Sequence, residues 1–299
     1  MKQAVIDVGS NSIHLTVYEI HKNVFKTLFR SKIMVGLAGY VENGSLSRAG
    51  IEAAVDALTE FRLVLRSLSI DRIAVFATAS LRNIDNTTEA VKALRKATGF
   101  SIEVISGDEE ALLSYQGAMM DLKLRDGAFV DIGGASTELI SFENGRVVDT
   151  DSCRFGSLSL YKKCVGRILP GSRSAERMGQ IVDEALAGIR SRPSGPRTPL
   201  VCVGGTARTV LKLARMQFGL PESCRSVTAA QVETLLNLLL CQDKKAVRML
   251  LRLAPDRIHT LIPGLFILDR IVHLYGSEEI IVSRYGIREG FLCRKIIQS

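Results

Sequence analysis

Near the start of the chain an apolar run, Ala4-Val5-Ile6, stops at Asp7, and a turn of small residues separates it from a second run of β-branched and aromatic positions ending at Glu19. This predicts a buried strand, a sharp turn and a returning strand, which together make a hairpin with an acidic tip. The pattern recurs: residues 128–143, AFVDIGGASTELISFE, align without a gap on residues 4–19, AVIDVGSNSIHLTVYE, at a constant offset of 124. Six of the sixteen positions are identical: Ala4/Ala128, Asp7/Asp131, Gly9/Gly133, Ser12/Ser136, Leu15/Leu139 and Glu19/Glu143. Chance likeness between strands would match Val and Ile, so this set reads as an internal duplication.

The segments behind the two hairpins follow a similar order. After the first come a strand-like run over 24–34 and a helix from about Ser47 to Leu68, marked by apolar Ile51, Val55, Leu58 and Leu65. A strand over 73–77 and a helix near 87–97 complete that set. After the second hairpin come a strand over 146–150, helices to about Ile189, a strand over 200–203 and helices from Thr206. A β-β-β-α-β-α unit used twice is an α/β architecture. The polar turn Arg125-Asp126-Gly127 predicts the join, giving domains over 1–125 and 126–299. Residues 192–199 hold three of the seven prolines and predict a surface loop inside the second half. Residues 228–273 are helical in pattern, followed by a strand over 280–283 and a last helix from about Ile287.

Length agrees with this division, because a single core rarely grows past about 250 residues and the chain has 299. The formal charge of +8 favours an anionic partner, although Lys and Arg are spread along the chain as on an ordinary solvated surface. The six cysteines form no C-x-x-C pair and read as reduced thiols, and the four scattered histidines show no zinc spacing. The opening apolar run is broken at Asp7, so neither a signal peptide nor a membrane anchor is expected and the cytoplasm is the expected compartment. With no Trp and no nucleic-acid motif, a base-stacking surface is not indicated.

A Gly/Ser turn after a strand exposes successive backbone N–H groups that bind phosphate oxygens, and its small side chains let the phosphate approach. Gly9, Ser10, Asn11 and Ser12 in the first copy, and Gly133, Gly134 and Ser136 in the second, are therefore the expected phosphate-binding residues. Two such tips facing each other would form a clamp. Asp7 and Asp131, ending the two strands, would hold a magnesium ion through water and offset phosphate charge. Gly204-Gly205-Thr206, between a strand and a helix start, adds a further place for an anion or nucleotide. Asp108, Glu109 and Glu110 follow Gly107 at the start of another expected helix, more acid than a helix N-terminus needs. Neighbours on a helix point about 100° apart, so only one of Glu109 and Glu110 can aim squarely into a cleft.

DVGSNS, DIGGAST and VGGTA resemble the phosphate-1, phosphate-2 and adenosine motifs of the actin, hexokinase and Hsp70 superfamily. DVGSNSIHL, ATASLR, ISGDEEA, DIGGASTEL and IREGFL, in that order, resemble the exopolyphosphatase and guanosine pentaphosphate phosphatase family across nearly the whole chain. The resemblance implies a duplicated ribonuclease H-like, actin-like ATPase fold with two βββαβα domains flanking a cleft. It also implies release of terminal phosphate from inorganic polyphosphate or guanosine pentaphosphate, with Mg2+, or Mn2+ in its place, and often a homodimer. By position it makes Glu110 the general base, Arg82 a substrate-phosphate contact, and Glu138 a carboxylate that places metal or water. Two departures from the family are expected: Ala135 stands where a third glycine is usual, and these 299 residues leave no room for the C-terminal helical domain of longer members. Two other readings share the fold: an ATP-dependent kinase of a small metabolite, and a non-catalytic sensor of the alarmone or polyphosphate.

Overall fold

The computed structural model describes residues 1–22, 24–190 and 199–298. The chain divides into two compact units, residues 1–110 with 291–299, and residues 111–290. Residues 111–125, expected in the first half, thus pack with the second, and the final residues return to the first. The surface loop expected over 192–199 lies, up to residue 198, outside the described residues.

The first unit is built on β1 (Lys2–Val8), β2 (Ser12–His21) and β3 (Val24–Met34), followed by a 3-10 turn, Leu37–Tyr40, and a small hairpin of β4 (Val41–Glu42) and β5 (Ser45–Leu46). Then come α1 (Arg48–Ser67), β6 (Ile73–Ala77), α2 (Ala79–Arg82), α3 (Thr87–Thr98), β7 (Ile102–Val104) and the start of α4 (Gly107–Leu122). Ser47 caps α1 by accepting the Gly50 N–H at 3.3 Å. The buried face of α1 (Ala54, Leu58, Phe61 and Leu65) closes over Ala4, Ile6, Leu15 and Val17 of the sheet. Truncating such a fully buried Leu or Phe costs about 2–5 kcal/mol.

The second unit repeats the arrangement with β8 (Gly127–Ile132), β9 (Thr137–Glu143) and β10 (Arg146–Cys153). It continues through α5 (Ser157–Cys164), α6 (Ser172–Ala187), β11 (Leu200–Val203), α7 (Gly204–Phe218), β12 (Ser226–Thr228), α8 (Ala229–Cys241) and α9 (Lys244–Leu253). A 3-10 turn, Pro255–Arg257, leads to α10 (Leu261–Tyr275), β13 (Glu279–Val282), α11 (Ile287–Leu292) and a π-helical turn, Cys293–Ile297. α10 is buried along most of its length, as its largely apolar sequence requires, with Arg270 and His273 exposed.

The sheets share one plan. Their orders are β3-β2-β1-β6-β7 and β10-β9-β8-β11-β13-β12, the first three strands antiparallel and the next two parallel. The register repeats residue for residue: Asp7 faces His14 across the first hairpin, and Asp131 faces Glu138 across the second. The duplicated fold expected from the sequence is therefore present.

Within the second unit, α4 meets the 286–290 segment backbone to backbone. A Cβ on Gly117 would lie 2.1 Å from the Gly286 carbonyl oxygen, and one on Gly290 would lie 1.9 Å from that of Leu113. Beyond this contact the buried Asp121 carboxylate accepts hydrogen bonds from Arg284 Nε (3.0 Å), Arg284 Nη2 (2.6 Å), Ser283 Oγ (3.2 Å) and Arg225. Burial alone would raise Asp121, but the bonds from Arg284 and Arg225 outweigh it and hold the carboxyl at about 2.

Candidate functional site

In the first unit the Gly9 N–H donates to the Ser12 carbonyl at 3.2 Å, closing the turn between β1 and β2. The outward carbonyls of that turn are held too: Ser10 accepts from Ala38 N at 3.0 Å and Asn11 from Gly36 N at 2.8 Å. Ser10 and Ser12 are buried, and Ser12 Oγ lies 2.8 Å from His14 Nε2. Asp7, His14 and Lys32 form one row across β1, β2 and β3.

The ATASLR segment leaves β6 as the single helical turn α2. Ser80 Oγ donates to the Val8 carbonyl at the end of β1, fixing α2 against the hairpin tip. Arg82 is thereby aimed at α4: its Nη1 donates to Glu110 Oε2 at 2.6 Å and to the Ile105 carbonyl at 3.2 Å. Both side chains are mostly buried, 17% and 11% exposed. Glu109 points elsewhere, its Oε1 meeting Lys295 Nζ at 2.7 Å. The two adjacent glutamates thus have different partners: Glu109 takes a lysine and Glu110 takes Arg82.

In the second unit the Gly133 N–H donates to the Ser136 carbonyl at 3.0 Å, the same closure as in the first. Here the N-terminus of α5 holds the tip: Ser157 N donates to Gly133 O, and Leu158 N and Ser159 N to Gly134 O, all at 2.9 Å. Ser136 and Glu138 are almost fully buried, and Glu138 Oε1 accepts from Ser152 Oγ at 3.1 Å. The matching row across β8, β9 and β10 is Asp131, Glu138 and Ser152.

Parallel pairing of β11 with β8 sets Val203 beside Asp131, which delivers the Gly204-Gly205 turn to the carboxylate. Gly204 has φ +82°, and a Cβ there would lie 2.8 Å from Asp131 Oδ1, so both backbone conformation and space require glycine. The other oxygen, Oδ2, accepts from Ser114 Oγ at 2.9 Å. Burial pushes Asp131 above the usual carboxylate range, opposed by the Ser114 bond and by the charges of Arg208 and Arg288. Thr206, expected beside an anion, is buried with its side chain against Gly264 of α10.

The sequence reading missed Ser114 and three arginines, Arg208, Arg257 and Arg288. Arg257 lays its guanidinium over Gly205, where a Cβ would meet Nη2 at 1.9 Å. Desolvation and the charges of Arg288 and Arg257 bring Arg208 down to about 10. A signal existed for two of them: Arg208 follows the VGGTA motif directly, and Arg288 lies inside IREGFL.

Among the described residues no group of three or more His, Cys, Asp or Glu side chains could hold a metal ion by itself. Asp131, paired in register with Glu138, instead offers hard oxygen donors of the kind that bind Mg2+ together with water and substrate phosphate. The residues therefore fit an ion shared with a phosphate. Among the described residues no helix is long and apolar enough to cross a membrane.

Residues 16–298 match the Ppx/GppA phosphatase family. A guanosine-5'-triphosphate,3'-diphosphate pyrophosphatase from Aeromonas hydrophila is 32% identical over 296 residues, covering 97% of this chain and 58% of that protein. Exopolyphosphatase 1 of Mycobacterium tuberculosis is 24% identical over 305 residues, covering 99% of this chain and 88% of its own length. The chain thus spans little more than half, 58%, of the first of these relatives. Among solved structures, an exopolyphosphatase from Cytophaga hutchinsonii matches at TM-score 0.86 and 23% identity, over 100% of this chain and 98% of that one. The Aquifex aeolicus member of the Ppx/GppA family matches at TM-score 0.79, also at 23% identity and with the same coverage. These two likenesses establish the fold.

Proposed function

Because this chain belongs to the Ppx/GppA phosphatase family, we propose that it is a phosphoanhydride hydrolase releasing terminal phosphate from inorganic polyphosphate, guanosine pentaphosphate or both. The names of the Aeromonas and Mycobacterium relatives support the two substrate classes. The observation that carries the reading is the 2.6 Å contact between Arg82 and Glu110, 28 residues apart and mostly buried. A positioned carboxylate and a forked cation are what phosphoryl transfer to water asks of a protein.

In this mechanism the Glu110 carboxylate orients a water in line with the terminal phosphorus. The water oxygen bonds to phosphorus as the bridging P–O bond breaks, the shortened chain leaves on the bridging oxygen, and Glu110 takes the water proton. Arg82 meets the charge on the terminal phosphoryl oxygens. An ordinary glutamate suffices, since a loose transition state needs positioning more than basicity. Asp131 and Asp7 are the residues that would hold Mg2+, or Mn2+ in its place, which when bound offsets phosphate charge. Ser114 keeps the Asp131 carboxylate oriented, and Glu138 orders its surroundings. A cytoplasmic setting and a homodimer are further expectations of the family resemblance, open to cell fractionation and light scattering.

The test is phosphate release from tripolyphosphate, long polyphosphate, guanosine pentaphosphate and ATP, comparing wild type with Glu110→Gln. The variant is expected to lose about 10²–10⁴-fold in kcat with its fold retained. Equal rates would take Glu110 out of the mechanism, and ADP formation that depends on an added acceptor would replace hydrolysis by a kinase reaction.

A further inference from the structure

Helix α9, Lys244–Leu253, has the sequence KKAVRMLLRL: four cations and no acid. The whole chain has 39 basic and 31 acidic residues, a net +8, so these ten residues carry +4 of it, half the excess. At about 100° per residue, Lys244, Lys245, Arg248 and Arg252 all fall within an arc of about 100°. All four are exposed, while Ala246, Met249 and Leu250 are buried on the opposite side. None of the four makes an ion pair or side-chain hydrogen bond to the described residues. The stripe runs about 12 Å along the helix at 1.5 Å per residue.

The placement works against the helix itself. Positive charge at a helix N-terminus opposes the backbone dipole, yet lysines fill the first two positions, and the one nearby acid, Asp243, is occupied in capping the Ala246 N–H at 2.7 Å. In α3, by contrast, Glu89 lies in the first turn and Arg95 and Lys96 in the last. A stripe kept against local preference points to a partner. Its C-terminal end leads directly into the turn Pro255–Arg257, whose last residue covers Gly205 beside Asp131. The cations therefore continue from Arg257 at the candidate site through Arg252 and Arg248 to Lys245 and Lys244.

We infer that the α9 stripe is an exosite for the distal part of a polyphosphate chain, holding phosphates beyond those at the reacting end; this rests on the hydrolase reading above. Charge complementarity names a polyanion, and two features select among polyanions. The stripe has no aromatic residue on which bases could stack, which disfavours single-stranded nucleic acid. Ala246, Met249 and Leu250 of α9 are packed into the unit's core, and the single exposed Leu251 beside the cations is too little apolar surface to enter a lipid layer.

The experiment uses the double variant Lys245→Ala/Arg248→Ala in two arms. In the kinetic arm KM for long polyphosphate is expected to rise about 10-fold while tripolyphosphate turnover stays within about 2-fold, because the short substrate has no distal phosphates to occupy the stripe. In the binding arm the pair is placed in the Glu110→Gln background. Affinity for long polyphosphate should fall about 10-fold, and the slope of log affinity against log salt should flatten by about 1. Unchanged long-chain affinity overturns the exosite. Equal or tighter binding of a single-stranded RNA of matched phosphate number, or of phosphatidylserine vesicles, with the same loss in the variant, overturns polyphosphate as the occupant. If wild type releases no phosphate from tripolyphosphate, the hydrolase reading fails, while the binding arm still decides the fate of the stripe.

Discussion

The two hairpin tips have the same backbone and different chemistry. Each closes with an N–H to C=O bond, Gly9 to Ser12 and Gly133 to Ser136, and each sets an Asp at the end of its first strand. Across the sheet the rows then diverge: Asp7, His14 and Lys32 in one unit, Asp131, Glu138 and Ser152 in the other. The first sets an imidazole and an ammonium group in the row of its carboxylate, whereas the second gathers acidic and hydroxyl oxygens. Duplication conserved the turn, and divergence at one cross-strand neighbour gave the two tips different side chains beside the same aspartate.

Substitutions can break or sharpen that contrast. Between the two tips the larger effect is expected at Glu138: Glu138→Gln should lower phosphate release about 100-fold, or about 3 kcal/mol, whereas His14→Gln should lower it less than 10-fold. Equal losses in steady-state kcat would erase the distinction between the tips. Next comes Asp121, which anchors the end of α4 in the second unit; Asp121→Ala should lower unfolding stability by about 2 kcal/mol by stripping two partly exposed arginines of their partner.

The pH dependence of that anchor has a fixed sign. The folded carboxyl titrates at about 2, below an unfolded value near 3.9, so its contribution is complete above about pH 4 and is lost as pH falls toward 2. Urea midpoints of wild type and Asp121→Asn should converge over that interval, and a constant gap would refute the assignment. Ser114→Ala should cost about 1 kcal/mol in stability and weaken Mn2+ binding measured by electron paramagnetic resonance, with Ser114→Thr restoring both if its hydroxyl reaches Asp131. Lys295→Ala should change stability by no more than about 1 kcal/mol, because its pairs with Glu103 and Glu109 are partly exposed.

Much of the duplicated frame is written locally and could be read from sequence. β3, β6 and β11 begin and end where their apolar runs do, and Ser47 marks the start of α1. What could not be read depends on chain segments far apart in sequence. Asp121 reaches Arg225 and Arg284 over 104 and 163 residues, and nothing in the periodicity of α4 marks that aspartate as an anchor. Ser114 is likewise one polar position in a largely buried helix until β8 brings Asp131 to it. The different partners of Glu109 and Glu110, Lys295 and Arg82, are also beyond what the helix pattern can place.

The first unit is discontinuous: Phe291 stacks on Phe76 at 4.6 Å, and Lys295 ties down the 103–109 stretch. A nascent chain leaving the ribosome will therefore have the whole of residues 111–290 in hand before the opening unit receives its last aromatic ring. The half that is synthesised first is the half completed last, and until then its uncovered Phe76 is a surface for chaperones to guard.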